Sequence, residues 1–204
     1  MRPRRALIAA AAGLLCAGAV LAQSGEPPAE AAASSAVSGV SGVSAADSRP
    51  ELQQALPQGR LMGKARLSVW GFQVYDTRLW APVGFGAGSY ASQPLALELA
   101  YLRDFKAADI AERSLKEMRR SQAISQAQAE RWRADMLKVF PDIKAGDRIL
   151  GVHRPGAGAG FWVNGKASGE IRDAEFARLF FGIWLSPKTS EPKLREALLA
   201  GAGP

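Results

Sequence analysis

The residues best suited to chemistry in this chain are arginines set among apolar strand residues. Arg66 stands in "KARLSVW" and Arg103 closes "LAYLR". A guanidinium facing an apolar cavity holds a carboxylate or an enolate well, through charge-assisted and bidentate hydrogen bonds. The plainer reading of each is a solvent-facing arginine, or one paired with Asp76 or Asp104.

Other chemistries find fewer parts. The chain has one histidine, His153, and one cysteine, Cys16, so a zinc-type cluster cannot be assembled. A serine triad needs that same histidine, and no G-x-S-x-G elbow lies in the folded part. "GAGAG" at 156–160 resembles a phosphate loop, but such a loop must open a helix, and here it joins two strands. Asp104 and Asp109 read as helix-start residues, with Asp104 the expected N-cap. No cofactor is expected.

These side chains need elements to position them. Leu67 and Val69 alternate, and Phe72 and Val74 resume beyond Gly71 with shifted parity, as at a bulge, bend or turn between strand segments. In "PLALELAYL", Leu95, Leu97, Leu99 and Tyr101 share one strand face. Two helices follow, the first with a stripe of Ala108, Ala111, Leu115 and Met118. The second opens on the capping pattern of Ser125 and Gln128 and repeats Ala129, Trp132, Met136 and Val139 at helical spacing. Residues 147–171 read as three strands, with Asn164-Gly165 the strongest hairpin signal in the chain. Asp173 caps a helix whose Phe176, Leu179, Phe180, Ile183 and Trp184 form one broad stripe, and Ser190 is the expected cap of the last helix. The order is α+β, without the alternating βα units of a doubly wound sheet.

The N-terminal residues read as an export signal. Arg2, Arg4 and Arg5 precede an apolar run from Ala6 to Ala19, and Val20-Leu21-Ala22 ends it with small residues where a signal peptidase reads. Residues 1–22 are read as a secretory signal, which places the protein in the periplasm or outside the cell. The run is short for a bilayer span, and no integral membrane segment is expected once it is removed. Cleavage removes three of the 26 basic and none of the 19 acidic residues, leaving +4 in place of +7. A surplus so mild and scattered argues against nucleic acid as partner. Residues 23–56 are rich in Ala, Ser, Gly and Pro and lack aromatics, the composition of a disordered tether. Residues 57–204 are then one domain.

Taken in order, "ARLSVWGFQVYDTRLW", "LELAYLRDF", "AGDRILGVH", "FWVNG" with "GEI", and "FFGIWLSPKTSEPKLREALL" resemble the bacterial chalcone-isomerase-like proteins. The resemblance runs from about Gly59 to Leu199. It implies an open-faced β-sandwich, in which a large antiparallel sheet is covered by a helical layer with a cleft between them. Plant enzymes of this kind close a chalcone to a flavanone beside a strand arginine, with hydroxyls of threonine and tyrosine and an asparagine amide. Non-catalytic relatives bind fatty acids, with the carboxylate near that arginine and a tyrosine.

Aligned on Val74-Tyr75, the enzymes' strand threonine falls at Trp70. Their arginine falls near Gln58, with Arg60 two positions on and on the same strand face. Either Arg60 or Arg66 is then the cavity cation. The C-terminal threonine falls at about Ile183, and the helix of the Tyr and Asn corresponds to 125–139, which offers Trp132 instead. With the hydroxyl set largely missing, flavanone formation is not expected. The expectation is an exported, non-catalytic protein that binds a small amphipathic ligand, such as a fatty acid or another apolar carboxylate. Its candidate ligand-binding residues are Arg60, Arg66, Trp70, Tyr75, Tyr101, Arg103, Trp132 and Ile183. Two alternatives stay open: an isomerase acting on an enone or phenolic substrate, and an envelope scaffold whose cleft is filled by Trp70, Trp132 and Trp184.

Overall fold

The computed structural model describes residues 49–203, and residues 1–48, with the expected signal and most of the expected tether, lie outside them. Six strands form one antiparallel sheet in chain order: β1 (Arg60–Val69), β2 (Phe72–Ala81), β3 (Leu95–Tyr101), β4 (Arg148–Arg154), β5 (Gly158–Val163) and β6 (Lys166–Ile171). The helices are α1 (Pro50–Ala55), α2 (Ala107–Ser121), α3 (Gln126–Val139), α4 (Ala174–Leu185) and α5 (Pro192–Leu198). This is the α+β order expected, an open sheet with α2, α3 and α4 on its inner face.

Two tight turns join the outer hairpins. Asn164 and Gly165 stand at φ 50° and 81°, the geometry of the two-residue turn read from their types. Trp70 and Gly71 repeat it at φ 51° and 82° between β1 and β2. Glycine takes that conformation freely, but a side chain there costs roughly 1–2 kcal/mol.

The inner face of the sheet, with Leu79, Leu95, Leu97, Leu99 and Phe161, packs beneath α2, α3 and α4. The stripe of α4 is held by aromatic contact. Phe180 stacks on Phe176 at 5.3 Å and meets Phe161 and Trp184 edge-on at 5.5 Å each. Two expected caps are corrected. Asp104 instead binds Lys144 and the Ala145 N–H, while Asp142 accepts from the Ala107 N–H at the start of α2. The last helix begins at Pro192 after Glu191, one residue beyond Ser190, and neither side chain caps it. Asp173 and Ser125 cap α4 and α3 as expected.

The outer face corrects the expected tether. Residues 50–55 form α1, whose Leu52 is buried together with Leu56 against Trp80, Ala96, Leu150 and Val152. Composition did not reveal this, because two leucines four residues apart are enough to seat one turn of helix on an existing apolar face. Ion pairs lock it there. Glu98, fully buried on β3, accepts two bonds from Arg49 (2.7 and 2.8 Å) and one each from Arg78 (2.9 Å) and Arg148 (3.1 Å). Arg148 also pairs with the buried Glu51 of α1. Burial alone would raise the Glu98 carboxyl, but the bond from Arg49, with the other arginines, holds it below the usual range.

Candidate functional site

A cleft of about 540 Å³ opens between the sheet and helices α2 and α4, near the β1–β2 hairpin. Its sheet wall is Leu67, Val69, Val74, Tyr75, Leu99, Tyr101 and Ile149, and Ile110, Phe180, Ile183 and Trp184 close it from the helices. Val74 and Tyr75 are neighbours in sequence yet both line it, which strict strand alternation forbids. The pairing explains this. Leu67 faces Tyr75 and Ser68 faces Gln73, so Val74 is the extra residue of a bulge. Its carbonyl accepts from the Leu102 N–H at the end of β3.

The body of the cleft is apolar, and its polar groups include the carboxylates of Asp104, Asp109, Glu117 and Glu191 as well as hydroxyls and two arginines. The Trp184 indole N–H donates to the Tyr75 hydroxyl at 2.9 Å, and the Tyr75 ring meets Tyr101 edge-on at 6.0 Å. Burial pushes the Tyr75 phenol up to about 12, with the bond from Trp184 working the other way. Burial raises Tyr101 as well, followed by the nearby Tyr75. Both phenols are therefore neutral at physiological pH, able to donate hydrogen bonds but not to act as phenolate bases. Two cations line the site. Arg103 rests its guanidinium 5.1 Å from the centre of the Phe72 ring, and Arg113 binds Glu117 at 2.9 Å. Asp109, Ser114 and the buried Glu117 stand with Ile110 and Arg113 on the α2 side.

Four of the residues singled out from the sequence meet here: Tyr75, Tyr101, Arg103 and Ile183. The other four lie elsewhere. Arg60 is exposed at the start of β1, opposite Ala81. Arg66 points to the opposite side of the sheet from Leu67 and binds Asp76 at 2.6 and 2.9 Å, the plainer of its two readings. Trp70 crowns the hairpin turn, outside the cleft. Trp132 is fully buried behind it, 5.8 Å from Phe176, with its indole N–H on Asp173 at 2.8 Å. Trp70, Trp132 and Trp184 thus do not fill the cleft.

The positions matched to the enzymes' hydroxyls, Trp70, Ile183 and the helix at 125–139, bring none to the cleft, and the hydroxyls that line it come from Tyr75, Tyr101, Ser114 and Ser190. Beside α4, the helix that lines the cleft is α2 rather than α3, and its Ile110, Ser114 and Glu117 carried no signal that the sequence reading used. Their spacing of i, i+4, i+7 marks a second stripe beside the core stripe of Ala111, Leu115 and Met118. A second, smaller depression of about 230 Å³ lies among Arg154, Glu170 and Arg172, whose charges already pair with one another.

His153 is buried on β4, with Nδ1 3.2 Å from the Gln93 carbonyl and its ring 5.2 Å from Phe181, away from the cleft. Among the described residues no helix is long and apolar enough to cross a membrane.

Comparison with known proteins places this geometry. A family model described as chalcone isomerase-like matches residues 40–200. An uncharacterised protein of Haemophilus influenzae is 28% identical over 131 residues, which are 64% of this chain and 63% of the relative's length. The crystal structure of a fatty-acid binding protein of Arabidopsis thaliana has the same fold, with a TM-score of 0.54 at 12% identity. That likeness covers 70% of this chain and 87% of the plant protein.

Proposed function

Because the chain belongs to the chalcone isomerase-like family, we propose that its cleft is a non-catalytic binding site for a small amphipathic ligand, with a fatty acid the favoured class. One observation carries the reading: an apolar cleft of about 540 Å³ that meets a cation, Arg103, and the neutral phenols of Tyr75 and Tyr101. Sites of that size and makeup accept an apolar body and orient it by a few polar groups. The acyl chain lies along Leu67, Leu99, Ile149, Phe180 and Ile183, and the carboxylate meets Arg103 at the mouth. That the Arabidopsis protein of this fold is a fatty-acid binding protein supports the choice of class. Native mass spectrometry after mild extraction tests it. A lipid-like adduct on the purified chain is the expected result, and a chain that never takes up such a ligand contradicts it.

Export is part of the same proposal and rests on the reading of residues 1–22. The protein recovered from the periplasm or medium is expected to begin at Gln23. A chain that keeps Met1 in the cytoplasm contradicts it.

A second reading has one observation in its favour. Arg103 and two phenol donors around one cavity are also what an enolate formed in a conjugate addition needs. That reading expects turnover of an enone or phenolic substrate that disappears in Arg103→Ala.

A further inference from the structure

The β1–β2 hairpin ends in an exposed aromatic tip beside the cleft mouth. Trp70 is 94% exposed and Phe72 61%, and Val69 between strand and turn belongs to both the tip and the cleft wall. Trp70 stands at φ 51°, a left-handed position for which Gly or Asn is suited, and Asn164 takes the matching place in the β5–β6 turn. A tryptophan here gains no burial within the described chain and strains its own backbone. Nothing in the folding of the domain accounts for that choice, whereas contact outside the chain does.

The area and shape of the tip narrow the partner. Two aromatic side chains bury roughly 150–250 Å² each, which falls short of the ~800 Å² per partner of a specific protein interface. The tip is also convex, the outer bend of a two-residue hairpin. A lipid interface makes no such demand, because single Trp and Phe side chains settle at the headgroup level with the ring among acyl carbons. Arg66 on the same hairpin is already paired with Asp76, and Arg103 under the Phe72 side chain lies at the rim the tip shares with the cleft, so the seating rests on the two aromatic side chains.

We propose that Trp70 and Phe72 insert into the interfacial layer of a lipid bilayer and seat the cleft mouth on the membrane surface. This surface role is independent of what the cleft binds.

Quenching of tryptophan emission by vesicles of brominated phosphatidylcholine with phosphatidylglycerol tests it on the full chain. Residues 1–22 contain no tryptophan, and the comparison with Trp70→Phe separates insertion of the tip from any tethering by an uncleaved signal. Trp80, Trp132, Trp162 and Trp184 remain as internal controls. Wild-type emission is expected to be quenched, with loss of most of that quenching in Trp70→Phe. The double variant Trp70→Gly/Phe72→Ser is expected to lose it while keeping or raising the thermal midpoint, because glycine relieves the turn. Three results overturn the proposal: no quenching of the wild type, equal quenching of Trp70→Phe, or Trp70-dependent self-association that persists unchanged when vesicles are added.

Discussion

The Trp184 indole N–H donates to the Tyr75 hydroxyl at 2.9 Å, and this bond ties helix α4 to strand β2 across the wall of the cleft. Tyr75→Phe leaves the indole donor without its partner, at an expected cost of about 1–3 kcal/mol in a denaturant titration. The same phenol sets an alkaline limit. Its proton is held up to about pH 12 in the fold, against 10.0 ordinarily. Its contribution to stability is therefore complete below pH 10 and lost as pH rises from 10 towards 12. The phenolate absorbance that separates wild type from Tyr75→Phe should appear across that upper range.

Glu98 holds α1 and the sheet together. Replacing it with alanine leaves Arg49, Arg78 and Arg148 facing one another without their shared carboxylate. Breaking a buried ion cluster in this way costs on the order of 3–5 kcal/mol, readable as a fall in thermal midpoint. Because the Glu98 carboxyl lies below its ordinary 4.5 in the fold, its contribution is present above that pH and is lost as pH falls through the folded value.

Gly63 lets α5 reach β1. A Cβ added there would stand 2.1 Å from the Ala197 carbonyl oxygen and 2.5 Å from that of Leu198, both backbone atoms. Gly63→Ala is expected to destabilise by about 1–3 kcal/mol or more, whereas Gly71→Ala, with open space around its Cβ, strains only its φ of 82°. Comparing the two midpoints separates a packing clash from a backbone cost.

His153 is the only histidine of the chain, so its titration can be read alone. Burial, opposed by hydrogen bonds to the Gln93 and Tyr90 backbone, holds it below its ordinary 6.5. The unfolded chain therefore takes up this proton first as pH falls. Stability is complete above about pH 6.5 and declines below it, before the carboxylates titrate. Stability measured against pH should show this decline in the wild type and lose it in His153→Gln.

The fold was largely legible because its signals are local. Alternation along Leu95, Leu97 and Leu99, the Asn164-Gly165 turn, and the Asp173 cap before the aromatic stripe of α4 each follow from a few adjacent residues. The cleft was less so. Which arginine faces it depends on strand parity, and on β1 it is Leu67 and Val69 that take the cleft side. Arg66 was thus a fair candidate by type, and one position of register sends it to Asp76 on the other side. Trp132 looked like a cleft residue only through the family's helix. Its own spacing with Ala129 and Met136 already put it in the core. Helix α1 escaped notice because its two leucines sit in a segment whose composition is otherwise that of a tether, and its partners, Glu98 and Arg148, lie 49 and 97 residues beyond Arg49 and Glu51.

The most direct test is a displacement titration of a fluorescent fatty acid from the purified chain by palmitate, in wild type, Ile183→Trp and Arg103→Ala. Saturable binding of one ligand per chain is expected in the wild type. It should be abolished when the larger side chain fills the cleft in Ile183→Trp, and weakened roughly tenfold or more by loss of the charged partner in Arg103→Ala. No saturable binding by the wild type, or equal binding by Ile183→Trp, would contradict a ligand site in this cleft.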